Sequence, residues 1–112
     1  MNEFMLLMKG DDSPQASPQE VQDRMRSYMV WMQKMIAKNR LVAGQPLEPR
    51  GVHLTDKASL ATDGPFLEPK EIIGGYVILR AEDLDEAIEL ARECPLLEHC
   101  EIYVRPVVQI PS

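Results

Sequence analysis

This chain has few cysteines and few aromatic residues. It also lacks a net positive charge and an apolar run long enough to span a membrane. Its 112 residues include two cysteines, one tryptophan, three tyrosines and two phenylalanines. Twelve basic residues stand against 18 acidic ones, for a formal net charge of −6, so the chain lacks the positive charge that neutralises phosphates. Apolar runs such as residues 29–32 and 76–79 are far shorter than the roughly 20 residues of a membrane-spanning helix. We therefore expect neither a nucleic-acid partner nor attachment to a membrane.

The two cysteines offer little support for redox or metal chemistry. Cys94 and Cys100 lack the C-x-x-C spacing of a thiol redox pair. Grouping them with His99 and His53 as a zinc site would use a C-x4-H-C arrangement that matches no standard pair of zinc ligands. We interpret both thiols as small buried side chains in a reducing environment. The expectation is a protein without metal or cofactor.

Length and composition predict one domain spanning residues 1–112. Hydrophobic residues make up 45% of the chain and charged residues 27%, which is ordinary for a globular protein. The first nine residues include Glu3 and lack the basic start, apolar stretch and cleavage site of a signal peptide, which favours a cytoplasmic location. Acidic residues are concentrated between residues 82 and 101, where eight acids accompany one arginine.

Two helices are indicated by capping signals at their N-termini. Residues 17–20 (SPQE) have the form of a capping box with proline at the first helical position, and this helix is expected to continue to about residue 39. Asp83 and Glu86 begin the second helix, which Cys94 and Pro95 end. Apolar spacing predicts the buried side chains. In the first helix these are Val21, Met25, Tyr28, Met29, Met32, Met35 and Ile36, with Trp31 on the flank, and in the second they are Leu84, Ala87, Ile88 and Ala91.

Strand patterns occupy much of the remaining chain. Pro106 lies near the end of the last strand and predicts that this strand ends at a sheet edge or bulge, since proline cannot donate to the ladder. Residues 41–49 are expected to be an extended connection, because their two prolines exclude a helix. The predicted strands are residues 3–9, a weak hairpin of residues 50–55 and 58–62, residues 75–81, and residues 101–108.

The order strand, helix, two strands, helix, strand predicts an α+β protein with the ferredoxin-like βαββαβ fold and an antiparallel sheet. In this fold both helices cover one face of the sheet. Residues 3–9 and 75–81 are nevertheless apolar on both faces, and such a face is larger than monomers usually leave in water. We therefore expect a homodimer in which two sheets meet face to face. A monomer with a polar, ligand-lined open face is the alternative.

The most specific motif is residues 63–71 (DGPFLEPKE), followed by residues 74–76 (GGY). It resembles the signature of the DGPF-motif branch of the YCII-related proteins, D-G-P-F-x-E-x-K-E followed by a strand that begins Gly-Gly-Tyr. The resemblance continues through residues 84–87, 94–95 and 104–106 and so covers nearly the whole chain. It implies a bacterial protein with the dimeric α/β-barrel fold and no established activity.

Some YCII-related proteins have been proposed as enzymes that use a His–Asp pair, with the His on the first helix and the Asp just after it. This chain has no His between Ser17 and Asn39, and residues 37–39 (AKN) contain no Asp. The resemblance therefore does not transfer that pair to this chain.

Asp63 has two interpretations that the sequence leaves open. In the conformational one, its side chain bonds backbone amides in a turn that Gly64 and Pro65 shape, and Phe66 fills the core. In the functional one, Asp63 lies near the cleft between the two chains of the expected homodimer, which we call the dimer cleft. Desolvation there would raise the pKa of Asp63 and make it a general base.

Five further residues are candidates for a site in the dimer cleft. Arg105 would orient an anionic substrate, and the hydroxyl groups of Tyr76 and Tyr103 would contact a carbonyl or phenol. Lys70, in the motif, is a further substrate-binding candidate or a solvated side chain. His53 would relay protons or simply be exposed on its hairpin strand.

The resulting hypothesis is a cofactor-free small-molecule enzyme or binder. Its chemistry would be proton transfer of the isomerase or lyase type on a small anionic or aromatic metabolite. The alternative is a non-catalytic dimeric interaction or regulatory module, in which the acidic face of the second helix contacts a partner protein.

Overall fold

The computed structural model describes residues 1–10, 16–48, 50–54, 56–58, 60–62 and 72–111. The strands in these ranges are β1 (Asn2–Lys9), β2 (Leu41–Pro46), β3 (His53–Leu54), β4 (Leu60–Thr62), β5 (Ile73–Ala81) and β6 (Glu101–Pro106). The helices are α1 (Pro18–Ala37) and α2 (Leu84–Arg92), and a 3-10 helix, Pro95–Glu98, follows α2. Across the described ranges, no helix has the length and apolar character needed to cross a membrane.

Four strands form an antiparallel sheet in the order β2-β5-β1-β6. Along the chain, α1 connects β1 to β2 and α2 connects β5 to β6. This is the ferredoxin-like arrangement, so the predicted α+β fold is confirmed. Strand β6 lies at an edge of the sheet, as the proline at its end requires. Within the part of the chain that the structure describes, strands β3 and β4 pair with each other, at the position of the predicted hairpin.

The interpretation of residues 41–49 as a connection was wrong for its first half. Leu41–Pro46 is the edge strand β2, which pairs with β5 and places Gly44 opposite Val77. Pro46 is tolerated because it is the last residue of an edge strand. The partner of β2 lies far along the chain, so no local pattern could reveal this pairing.

The side chains of the central strands β1 and β5 alternate between a buried face and a half-buried face of the sheet, as their sequence pattern predicts. On β1, Phe4, Leu6 and Met8 are buried, and Val77 and Leu79 on β5 lie beside them in the same core. The alternate side chains point to the opposite face of the sheet and are half-buried. They include Met5, Leu7, Tyr76 and Ile78, and we call this surface the open face.

Helix α1 begins where its cap predicts, and its buried side matches the predicted stripe only in part: Met35 is buried, and Tyr28 and Met32 pack against the core. The Ser17 hydroxyl oxygen accepts from the backbone N–H of Glu20 at 3.2 Å. Within α1, the buried side chains are Trp31 and Met35. The indole N–H of Trp31 donates to the Leu90 carbonyl oxygen in α2 at 3.2 Å. Four residues of the predicted stripe are instead about half exposed: Val21, Met25, Met29 and Ile36.

Helix α2 has a reciprocal cap. The Asp83 carboxylate accepts from the backbone N–H of Glu86 at 2.9 Å, and the Glu86 carboxylate accepts from the backbone N–H of Glu82 at 2.9 Å. Ala87 and Ala91 are buried as predicted, and Leu90 is buried with them. Leu84, predicted to point inward, is 41% exposed at the first position of the helix.

Candidate functional site

A cleft of about 290 Å³ opens between the N-terminal half of α1, the 3-10 helix and one end of the sheet. The sheet contributes the ends of β1 and β2 and the start of β5. The described walls are mainly apolar side chains, namely Met8, Val21, Met25, Pro46 and Leu96. One wall of the cleft is a face of α1. It consists of residues spaced i, i+3, i+4 and i+7, namely Val21, Arg24, Met25 and Tyr28.

The residues lining this cleft also include polar or reactive ones, among them Arg24, Tyr28, His99 and Cys100. The Arg24 side chain is 20% exposed, and its Nη2 lies 3.8 Å from a well-exposed Glu20 oxygen. His99 follows the 3-10 helix, where its backbone N–H donates to the Leu96 carbonyl oxygen at 2.9 Å. The cleft therefore combines apolar walls with a fixed positive charge and an imidazole.

Tyr28 joins the cleft to the protein core. Its ring stacks on that of Trp31, with 6.0 Å between ring centroids. Burial, and to a smaller degree the nearby Cys94, raises the pKa of the Tyr28 phenol above its ordinary value. The phenol is protonated at neutral pH, as it would be at its ordinary pKa, and it can act as a hydrogen-bond donor.

The two cysteines have different environments. Cys94 is buried in the core, and Cys100 is half-buried at the cleft. Burial raises the pKa of the Cys94 thiol to about 11, so this thiol is not a nucleophile near neutral pH. Among the described residues, no group of three or more His, Cys, Asp and Glu side chains is placed to hold a metal ion.

Three of the predicted site residues lie together on the open face of the sheet, away from the cleft walls described above. Leu7 on β1 lies between Tyr76 on β5 and Tyr103 on β6 and pairs with both. Arg105 on β6 pairs with Met5 on β1. Tyr103 also contacts Lys9, whose ammonium nitrogen is 5.6 Å from the ring centroid and 3.5 Å from the hydroxyl oxygen.

The described structure does not place the other predicted site residues beside these three. His53 is an exposed residue of β3, in the separate two-stranded sheet. Asp63 and Lys70 lie outside the described residues, together with the whole of the motif at residues 63–71. Their assignment to a site stays a prediction.

The acidic face of α2, on which the interaction-module hypothesis rests, includes a carboxylate that is already bound within the chain. Arg40 donates to both carboxylate oxygens of Glu86, at 2.7 and 3.4 Å. Glu86 also caps α2, as described above. Glu89 is more exposed and lies 3.9 Å from Arg92. A change at Glu86 would therefore disturb the fold as well as the surface charge.

Sequence reasoning did not assign Arg24, Tyr28 or Met25 to a binding site. The signal in the sequence was the position of Arg24 among apolar residues at helical spacing. A solvated arginine is ordinarily found on the polar face of a helix. His99 was considered only as a zinc ligand. Its position beside α1 depends on how the 3-10 helix packs against that helix, which no local pattern reveals.

Comparison with known proteins places the chain in a family. The model of the YCII-related domain matches residues 3–111. The solved structure of 5-chloro-2-hydroxyhydroquinone dehydrochlorinase from Burkholderia phenoliruptrix AC1100, in complex with 2,5-dihydroxybenzoquinone, is similar to this chain, with a TM-score of 0.54 and 19% sequence identity over 95% of this chain and 94% of that one.

At that identity the similarity supports the fold alone. No curated protein matches the chain. The family predicted from the sequence motif is confirmed, and its DGPF-motif branch stays a prediction. The chain belongs to the family of proteins with a YCII-related domain.

Proposed function

We propose that this protein binds a small ring-containing molecule in the cleft between α1 and the sheet, as a cofactor-free enzyme or as a binding protein. The observation that carries this proposal is the cleft itself, with its volume of about 290 Å³ and its apolar walls. An apolar cavity of about 150 Å³ is enough to bind benzene. The cleft therefore has room for one ring with substituents.

The polar groups of the cleft support recognition of an oxygen-bearing ring. The protonated Tyr28 phenol can donate to a carbonyl or hydroxyl oxygen. Histidine is the residue type most often used for proton transfer near neutral pH, so His99 is the group we assign to any acid–base step. The dihydroxybenzoquinone in the structure of the related dehydrochlorinase is a ring of the kind this cleft would accept.

Filling the cleft should abolish binding of neutral ring compounds. We expect phenol and benzyl alcohol to bind the wild-type protein, and Met25→Trp to remove that binding by occupying the cleft. Met29→Trp is the matched control, because Met25 and Met29 are 49% and 48% exposed and lie one helical turn apart, while Met29 is not part of the described lining. Ligand-observed NMR with both probes measures the binding.

Two results would contradict this proposal. The first is that neither probe binds the wild-type protein at millimolar concentration. The second is that Met25→Trp and Met29→Trp reduce binding equally, since the probes would then bind elsewhere. Circular dichroism of both variants checks that each one folds.

The open face supports the further proposal that the protein is a homodimer. Met5, Leu7, Tyr76 and Ile78 form an apolar centre on this face, and each is only half-buried within one chain. Pairing two such faces would remove these side chains from water, at about 25 cal/mol for each Å² of apolar surface. Tyr103 and Arg105, on the edge strand β6, would then border the interface, where the sequence predicted the site.

A charge at the centre of the open face should separate the two chains. We expect wild-type protein to have twice the 12.7 kDa mass of the chain in sedimentation equilibrium, and Leu7→Asp to have the mass of one chain, because each dimer would bury two unpaired carboxylates. Val30→Asp, on an exposed position of α1, should remain dimeric. A wild-type monomer at micromolar concentration would refute the dimer.

A further inference from the structure

The methionines of this chain differ widely in their access to solvent. Met8 and Met35 are 5% and 0% exposed, within the core, whereas Met25 and Met29 on α1 are 49% and 48% exposed. Methionine ordinarily fills irregular gaps inside a core, and these two residues of α1 do not. Both are therefore open to a reagent in solution without any unfolding of the chain.

Met25 differs from Met29 in its surroundings. Met25 is part of the apolar wall of the cleft, and Met29 is not part of the described lining. Helix α1 packs against the buried face of the sheet through Trp31 and Met35, so both exposed methionines stay accessible when two chains pair through the open face. A chemical change at Met25 therefore alters the surface that a bound ring would contact, and the same change at Met29 does not.

Hydroperoxides oxidise a methionine thioether to a sulfoxide. A lone pair of the sulfur attacks one oxygen of the peroxide, and an S–O bond forms while the O–O bond breaks. The departing oxygen takes the proton of the transferred oxygen and leaves as water. The sulfur is thereby oxidised by two electrons and the peroxide reduced by two. The product is a polar side chain, with an oxygen that accepts hydrogen bonds, in place of an apolar one.

We propose that Met25 is a site of oxidation by peroxides, and that its sulfoxide changes which rings the cleft accepts, a change we call the switch. A ring without a hydrogen-bond donor would cover the sulfoxide oxygen and leave it without a partner, which is costly. A ring with a hydroxyl group can donate to that oxygen instead. The switch rests on the proposed binding function, whereas the assignment of Met25 as a modification site does not.

Tandem mass spectrometry of peptides, after cleavage at acidic residues, tests the modification site. The folded protein is exposed briefly to hydrogen peroxide and then to dithiothreitol, which returns cysteine sulfenates and disulfides to thiols. We expect Met25 and Met29 to be oxidised at least about tenfold faster than Met8 and Met35. In urea the four rates should become similar. Similar rates for all four residues in the folded protein would overturn the assignment.

Phenol and anisole are suitable probes of the switch, because they have similar shapes and only phenol has a hydroxyl donor. We expect the unoxidised protein to bind both, and oxidation to weaken anisole binding about tenfold more than phenol binding. Ligand-observed NMR measures these affinities. Treatment with methionine sulfoxide reductases for both sulfoxide epimers should then restore the binding of anisole.

Met25→Leu separates the effect of this residue from that of other oxidised groups, since leucine is an apolar side chain of similar volume that peroxide does not modify. Its affinities for phenol and anisole should be the same before and after peroxide treatment. Met29→Leu is the matched control and should respond to peroxide as the wild-type protein does. A response of Met25→Leu equal to that of the wild-type protein would overturn the switch and assign the effect to another group in the cleft, such as Cys100.

The outcomes distinguish this inference from the proposed function. Unchanged affinities after oxidation of Met25 would overturn the switch and leave the cleft as a binding site for rings. Absence of ring binding by the unoxidised protein would overturn the proposed function and the switch together, and the oxidation rates would still decide the modification site.

Discussion

Trp31→Ala is expected to lower the free energy of unfolding by about 3–5 kcal/mol, the range measured for removal of a large aromatic side chain from a core. Trp31 is 3% exposed, and its indole N–H is bonded to the Leu90 carbonyl oxygen. The substitution therefore removes core volume and also the indole hydrogen bond to this carbonyl, which keeps the backbone N–H of Glu93 as a donor at 3.3 Å.

The matched control for this change is Met29→Ala, for which we expect an effect within about 0.5 kcal/mol, typical of an exposed site. Met29 lies in the same helix and is about half exposed. Urea denaturation followed by circular dichroism gives both values. Similar losses from the two substitutions would mean that α1 is rotated so that Met29 is buried, as the stripe predicted from apolar spacing requires.

Cys94 is expected to make the protein less stable as the pH rises from 9 to 11. Burial, reinforced by the nearby Cys100, raises the pKa of this thiol from 9.0 to about 11. Between these values the unfolded chain has lost the thiol proton while the folded chain retains it, so stability falls as the pH increases. A difference of two pKa units corresponds to a loss of about 2–3 kcal/mol by pH 11.

Comparison of the wild-type protein with Cys94→Ala isolates this effect. The variant should be somewhat less stable at pH 7.5 and should lose less stability on going to pH 11. Tyr28 also has a raised pKa, so both proteins should retain some loss above pH 10. Urea denaturation under reducing conditions at pH 7.5, 9, 10 and 11 measures the difference, with Cys100→Ala as the control. Identical pH profiles for the wild-type protein and Cys94→Ala would contradict the prediction.

Capping and strand alternation were predicted correctly because they depend on neighbouring residues. Ser17 caps α1 and Asp83 caps α2 through hydrogen bonds to N–H groups three residues away. The alternation along β1 sorts Leu6 and Leu7 to opposite faces, since successive side chains of a strand point in opposite directions. These interactions span a few residues, and the local sequence is sufficient to specify them.

The orientation of α1 about its axis was not predictable in the same way. Its apolar residues lie on an arc broader than the buried stripe, so more than one rotation would bury a continuous set of them. The contact with α2, where the Trp31 indole meets the Leu90 carbonyl, selects one rotation and leaves Val21 and Met25 at the surface. That exposure is what supplies apolar walls to the cleft.

The sequence by itself therefore determined the family, the ferredoxin-like α+β fold class, the helix starts and the two-faced central strands. Only the tertiary structure decided that residues 41–46 form a paired edge strand, that Trp31 belongs to the core, and that Arg24 and His99 line one cleft. The physical reason is the range of the interactions: caps and alternation act between near neighbours, whereas strand pairing, helix rotation and the assembly of a site depend on contacts between residues far apart in the chain.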